Sequence, residues 1–312
     1  MVKVSVCIPS YNNPELFKRC LGSVLLQDLK DYEIIVSDDS TNTEIKSYVN
    51  GLGLTNLKYF HNTPSLGSPE NWNNAIKHAS GKYIKILHHD DHFTDKTSLG
   101  KFMDVFEKDP EVSFVFSWSK IVFKPDNALF IHKQKSGQLK RMNEEIEFLF
   151  FRNVIGGPSA VCFKNDPTII FDKNYKWLVD VEFYIKYLKK HPKFVSIPET
   201  LVTVVAGEEG QITDEVTRDR KIVISENLNL FSKIYSERLN RKKALLFFQE
   251  LYSNYRITSF GQLHKESRVP DNISKFTESV FLDIPKAVLL KKIKKRLLTS
   301  RYNKRIFKIE RF

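Results

Sequence analysis

The first 120 residues repeat one pattern, and that pattern restricts the fold more than any other feature: a short apolar run, a polar cluster, then a stretch with helical spacing. VSVCIP (4–9) is followed by Pro14 to Gln27, which places Leu16, Cys20, Val24 and Leu25 on one face. YEIIVSDD (32–39) precedes a short helical stretch over 41–50, and LKYFHN (57–62) precedes Ser68 to Ala79, with Pro69 at a first helical turn. YIKILHHDD (83–91) leads to a helix over roughly 95–108. Strands and helices alternating at this spacing predict an α/β fold, a Rossmann-like, mostly parallel sheet flanked by helices. Ligands of such sheets bind beyond the carboxyl ends of the strands. Three strands end in polar clusters, SYNN (10–13), SDDS (37–40) and HHDDH (88–92), and parallel topology brings all three to one edge.

Beyond residue 110 the pattern changes. VSFVFSWSKIVF (112–123) and FVSIPETLVTVV (194–205) read as long strands, and GGPSAVCFK (156–164) as a glycine turn entering a strand. EEIEFLFFR (144–152) and WLVDVEFYIKYLKK (177–190) read as helices, and from Thr213 onward strand signals are few. The expected organisation is a catalytic unit over 1–210 and a C-terminal, mainly helical region over 211–312.

The net charge of +12 suggests nucleic acid until it is located. Residues 286–312 hold eleven Lys or Arg against Glu310, a net +10, which leaves about +2 for the other 285 residues. Leu289, Leu290, Ile293, Leu297 and Leu298 recur at helical spacing among those lysines and arginines. A basic amphipathic helix of this kind predicts an anionic membrane surface as partner, and no nucleic acid. Three scattered cysteines without CxxC spacing, no apolar leader and no run of about 20 apolar residues predict a cytoplasmic protein, peripheral on the inner face of the membrane.

The stretch ILHHDDHF (86–93) poses the chemical question. Adjacent carboxylates at Asp90 and Asp91 supply hard oxygen ligands for Mg²⁺ or Mn²⁺ bridging to a phosphorylated ligand. A nitrogen from His89 or His92 would favour Mn²⁺. A zinc or di-metal hydrolase would need further histidines at strand ends, where only His61 stands. A solvated polar loop is the third reading.

Together the clusters resemble the inverting family 2 glycosyltransferases with the nucleotide-sugar-binding GT-A fold. VSVCIPSYNN is similar to that family's opening strand, EIIVSDDST to its base-binding acidic pair, and NTPSLGSPENWNNAI to its glycine loop and helix. YIKILHHDDHF stands at its metal motif, and GGPSAVCFK and WLVDVEFYIKYL resemble its acceptor segment and base-bearing helix. The resemblance covers residues 2–205. It implies that Pro9, Tyr11 and Asn12 line the nucleotide pocket, that Asp38 and Asp39 bind the base, that Asp90 contacts the nucleotide and the metal, and that Asp91 holds the metal. Asp180 becomes the general base, with Glu182 its rival. Asn71, Trp72, Asn73, Gly157 and Trp177 are candidate donor or acceptor contacts, although both tryptophans also suit simple packing.

Three departures from the family stand out. HHDD replaces acidic or small residues ahead of the metal aspartate, Val179 stands where a glutamate usually precedes the base, and Gly207, Glu208 and Glu209 stand where relatives carry a histidine. The expected activity is metal-dependent transfer from a nucleotide-diphosphate sugar, UDP-linked, to a saccharide or lipid-linked saccharide in bacterial surface polysaccharide synthesis (capsule or lipopolysaccharide). A nucleotidyl- or phosphoryl-transferring enzyme and an inactive nucleotide- or glycan-binding module are the alternatives.

Overall fold

The computed structural model describes residues 2–124, 127–207, 216, 219–236 and 239–282. The basic tail over 286–312, like Glu208 and Glu209, lies outside the described residues. Strand β1 (Val4–Ser10), helix α1 (Pro14–Leu25), β2 (Tyr32–Asp38), α2 (Glu44–Gly51), β3 (Leu57–His61), α3 (Glu70–Lys77) and β4 (Tyr83–Ile86) follow the expected alternation. Then come β5 (His92–Phe93), α4 (Ser98–Lys108), β6 (Phe114–Phe123), β7 (Ala128–His132), α5 (Ser136–Glu144), α6 (Phe148–Phe151), β8 (Val161–Lys164), α7 (Val179–Lys190) and β9 (Phe194–Ala206). Helices α8 (Arg220–Ile234), α9 (Arg241–Asn254), α10 (Phe260–Glu266) and α11 (Ser274–Leu282) make up the described part of the helical region.

All nine described strands join one sheet in the order β3-β2-β1-β4-β8-β6-β9-β5, with β7 against β6. Its first half, β3 to β4, is wholly parallel, as the alternation predicts. The second half is mixed: β8 runs antiparallel to both β4 and β6, β5 antiparallel to β9, and β6 parallel to β9. The strand expected to run through residue 91 stops at Ile86, and the chain turns through an Asp91 N–H to His88 carbonyl bond of 2.9 Å before entering β5. The helix expected over 144–152 is shorter, α6 alone, and extended backbone at Glu145 separates it from α5, which ends at Glu144.

Register produces the convergence expected at the sheet edge. Ser10 pairs with Asp38, and Asp38 with His61, so three strand ends lie in one row. Cys7 pairs with Ile86, which puts the 88–91 turn level with that row. Asn13 helps end β1 cleanly: its side chain accepts the Leu16 N–H at 3.0 Å, and Pro14 opens α1.

Because helices cover both faces, the central strands are buried throughout and alternate between two apolar layers. Val6, Ile8, Ile34 and Val36 pack with α1, α2 and α4, whereas Cys7, Ile35, Ile84 and Phe114 pack with α3, α6 and α7. The second layer continues into the helical region. Phe150 of α6 meets Phe231 of α8 at 5.6 Å, and Phe231 meets Phe248 and Phe276 at 4.8 and 4.9 Å. The core therefore crosses residue 210 without interruption.

One buried carboxylate ties the parallel half together. Glu33 accepts from Ser5 Oγ (2.6 Å), Lys58 Nζ (2.8 Å), and the Ser80 N–H and hydroxyl (2.6 and 2.8 Å). Burial pushes this acid up, but those donors outweigh it and bring it down to about 2. Gly81, next to Ser80, is required because a Cβ there would lie 2.6 Å from the Ser5 nitrogen. Glu33→Gln is expected to cost about 2 kcal/mol at pH 7, since it leaves buried donors unmatched. A lowered acid stabilises the fold above its ordinary value near 4.5 and loses that contribution as pH falls toward 2. Urea unfolding of both proteins should show the difference shrinking across that window. A pH-independent difference would contradict it.

Candidate active site

The residues expected to bind nucleotide sit on or beside the row of strand ends. Asp38 is fully buried, and protein donors occupy both its oxygens: Ser10 Oγ (3.2 Å) and the Ser40 N–H and hydroxyl (3.0 and 2.5 Å) reach Oδ1, and Tyr59 OH (2.5 Å) reaches Oδ2. Asp39 holds the glycine loop, accepting from the Leu66 and Gly67 N–H groups (3.1 and 2.7 Å) and from Asn62 Nδ2 (2.8 Å). Asn12 adopts a left-handed backbone, φ 49°, and its side chain accepts the Thr41 N–H at 2.8 Å. Tyr11, just past the end of β1, stands 51% exposed, and the Pro9 carbonyl accepts from the His89 ring.

Two asparagines of α3 face backbone. Asn71 donates to the Ser10 carbonyl at 3.2 Å, and Asn73 forms a two-way bond with Phe171, both legs 2.9 Å. Trp72 between them packs edge-on against Phe171 and lies 4.5 Å from the His88 ring.

His88, Asp90 and Asp91 bring one ligand atom each to within 4.8 Å of one another, the one such group of three among the described residues. Asp91 is 6% exposed. Burial and then the neighbouring Asp90 push its carboxyl well above the usual range, and contacts from Ser159 and the Val205 N–H (3.4 Å) act against that rise. The Nε2 of His88 is buried with no hydrogen-bond partner, and burial brings His88 down to about 4, so the ring is neutral with a nitrogen lone pair available. Two carboxylates that are costly to ionise together and an unpartnered imidazole nitrogen fit a divalent cation. The nitrogen expected from His89 or His92 comes from His88 instead. His89 is engaged with Pro9, and His92 is carried into β5, away from this group. Behind Asp91, the fully buried Lys85 donates to the Ile86 and Ser159 carbonyls, and burial lowers it to about 8.

Asp180 lies in the first turn of α7. It accepts from Asn153 Nδ2 (2.9 Å) and the Val181 N–H (2.8 Å), and burial pushes it up to about 7. Asn153 is itself aimed by the following turn: its Oδ1 accepts the Ile155 and Gly156 N–H groups, and its Nδ2 also reaches the Gly156 carbonyl. That turn continues through Gly157 to Ser159, whose hydroxyl accepts the His88 N–H at 2.9 Å. A single turn thus contacts both the metal group and the base candidate. Glu182, the rival base, is 5% exposed and paired with Lys186 (3.0 Å) and Lys233 (3.3 Å). Trp177 packs against the core.

Asn153, Ser159, Lys85 and Glu226 were not singled out from sequence. Ser159 lies inside the quoted GGPSA turn, but a serine, an asparagine or a lysine carries no motif signal of its own.

The sheet order and flanking helices, with polar clusters at the strand ends, give the chain a GT-A type α/β fold. Residues 5–163 match the sequence profile of Glycosyl transferase family 2, and the chain belongs to that family. It is 33% identical over 217 residues to the putative colanic acid biosynthesis glycosyl transferase WcaA of Escherichia coli K12, covering 67% of this chain and 75% of that one. It is 39% identical over 94 residues to a GalNAc(5)-diNAcBac-PP-undecaprenol beta-1,3-glucosyltransferase of Campylobacter jejuni, covering 29% of this chain and spanning 30% of the relative's length. The fold matches S. aureus TarS 1–349 in complex with UDP-GlcNAc, with a TM-score of 0.57, 17% identity and 90% of each chain covered. It also matches the mannosyltransferase PcManGT of Pyrobaculum calidifontis in complex with GDP-Man and Mn²⁺, with a TM-score of 0.57, 16% identity, and 97% and 82% covered.

Proposed function

We propose that the chain is an inverting, metal-dependent glycosyltransferase that moves a sugar from a UDP-linked donor to a hydroxyl of a lipid-linked saccharide. The observation that carries this reading is the Asn153–Ser159 turn, which joins the His88/Asp90/Asp91 group to Asp180. Tyr11 offers its face to the base, and Asp39 stiffens the loop beside it. A divalent ion held by His88, Asp90 and Asp91 would neutralise charge on the departing nucleoside diphosphate. Asp180 accepts the proton of the acceptor hydroxyl as its oxygen bonds to the anomeric carbon. The sugar–phosphate C–O bond breaks on the opposite face, and its electron pair leaves with the nucleoside diphosphate. A carboxyl raised to about 7 suits this role, because it is half ionised near neutrality and still basic enough to take the proton.

Lipid-linked acceptors suit the basic residues of 286–312, and the Campylobacter relative's name specifies such an acceptor. We further propose the anionic inner membrane face as the working surface, with 1–210 as the catalytic unit and 211–312 as the helical region. No described helix is long and apolar enough to cross a membrane.

Calorimetric titration with UDP and GDP, each with Mn²⁺, Mg²⁺ or EDTA, tests the donor side. Metal-dependent binding of UDP is expected, abolished by EDTA. Preference for GDP would correct the base, and no binding of either nucleotide with any metal would refute the reading.

A further inference from the structure

The carboxylate that gathers the amides leading into the base-bearing helix comes from the helical region, not from the sheet. Glu226, midway along α8 and 4% exposed, accepts the N–H groups of Lys176 (2.7 Å), Trp177 (2.8 Å) and Leu178 (2.8 Å). These amides lead directly into α7. The first N–H groups of a helix have no partner within it and are usually met by a local cap. Leu178 stands at the N-cap position and makes no side-chain cap bond; a glutamate 48 to 50 residues away instead holds its N–H and the two N–H groups before it. Asp180 is two residues past the last of the three amides.

A second contact from α8 braces the same segment. Lys233 Nζ donates to Asp172 Oδ2 (2.8 Å) and to Glu182 Oε1 (3.3 Å), and its ammonium lies 4.7 Å from the Tyr175 ring. The strap over 172–178 and the first turn of α7 are therefore both held by one helix.

We propose that Glu226 is a positioning residue for the transfer reaction: by gathering the 176–178 amides it fixes where Asp180 stands relative to the metal group, and it makes α8, outside the catalytic unit, a support for it. This rests on the reading of Asp180 as the base. Displacing a reacting group by about 1 Å can cost on the order of 100-fold in rate, and without Glu226 the segment entering the turn that carries Asp180 loses three bonds at once. The electrostatic contribution has the same origin. Burial is the main influence that raises Asp180, and the charge of Glu226 adds to it. The other charged or titratable groups around this turn are Lys176 in the strap, Tyr184 on α7, and Lys233, Glu182 and Asp172 below it.

The test uses the full chain as wild type, Glu226→Gln, Glu226→Asp and Asp180→Asn. Carbon-13 NMR of labelled aspartate, with the Asp180 signal assigned from Asp180→Asn, gives its titration midpoint directly and needs no substrate. In Glu226→Gln the midpoint is expected to fall from about 7 by roughly one pH unit. Amide exchange over 176–178 is expected to quicken about 10-fold or more, with UDP affinity unchanged. A merely structural cap would lower the yield of folded protein without moving the midpoint. If Glu226→Gln does not fold, Glu226→Asp keeps the charge and loses the reach: it should quicken exchange over 176–178 and lower kcat about 10-fold or more at unchanged UDP affinity, whereas quickened exchange at wild-type kcat would overturn the inference. Wild-type exchange and midpoint in the folded variant would overturn the inference alone. Full turnover in Asp180→Asn would overturn the base assignment itself, whatever Glu226→Gln shows.

Discussion

Asp180→Asn lowers kcat by about 10² to 10⁴-fold and leaves metal-dependent UDP binding intact: that is the expected result if Asp180 removes the acceptor proton. The amide keeps the volume and can still meet Asn153, so folding is preserved while the basic oxygen is lost. The pH dependence has a defined sign. Protonated Asp180 cannot accept a proton, so wild-type kcat/KM should rise with pH through about 7 and level off above it. Stability moves the other way. A carboxyl whose folded value lies above its ordinary 3.8 favours the native state while protonated, and that contribution is lost as pH climbs through about 7. At pH 8 the asparagine variant should therefore be the more stable protein, by on the order of 2 kcal/mol. A steady-state profile and a thermal melt check both halves. A fully active asparagine variant would point to phosphoryl or nucleotidyl transfer at the metal group, which needs no carboxylate at this position.

The second large effect is expected at Asp91. Asp91→Ala should weaken metal-dependent UDP binding by more than about 100-fold, because a buried carboxylate that would hold the ion is removed. Asp38→Ala is the informative contrast. Asp38 is more deeply buried than Asp91, but Ser10, Ser40 and Tyr59 already engage its oxygens, so its loss should appear in the urea midpoint and leave the metal dependence in place. His88→Ala should shift preference from Mn²⁺ toward Mg²⁺, since it removes the one nitrogen donor of the group. Calorimetry on the three variants separates these outcomes. Unchanged metal-dependent binding in Asp91→Ala would remove the metal group from the reading.

The parallel half of the sheet was legible in the sequence because each apolar run there ends in a turn and a helix, and the period changes from 2 to 3.6 at each junction. The second half was less legible. Nothing in VCFK reveals that β8 runs antiparallel to two neighbours, since direction depends on where the chain has travelled through α5 and α6. ALFIH of β7 is too short to separate from loop by pattern alone. At the site, the acids were legible and their partners were not. HHDDH announced a donor-rich turn, but the choice among three histidines was made by backbone direction after Ile86, which aims His88 inward and carries His92 into β5. The separation of roles between Asp38 and Asp39 likewise follows from the alternation of a strand end: one side chain points into the sheet and the other toward the glycine loop.

The aromatic chain from Phe150 through Phe231 to Phe248 and Phe276 also bears on how such enzymes diversify. Suppose the C-terminal helical region of this chain were exchanged for that of a relative. Here that exchange would also replace Glu226 and Lys233, and with them the seat of α7. A chimera joined at residue 210 would inherit a donor pocket from one parent and a base set by the other. Recombination within this lineage should therefore tolerate crossovers in the exposed lip around Tyr11 and reject them between α7 and α8, unless both helices travel together.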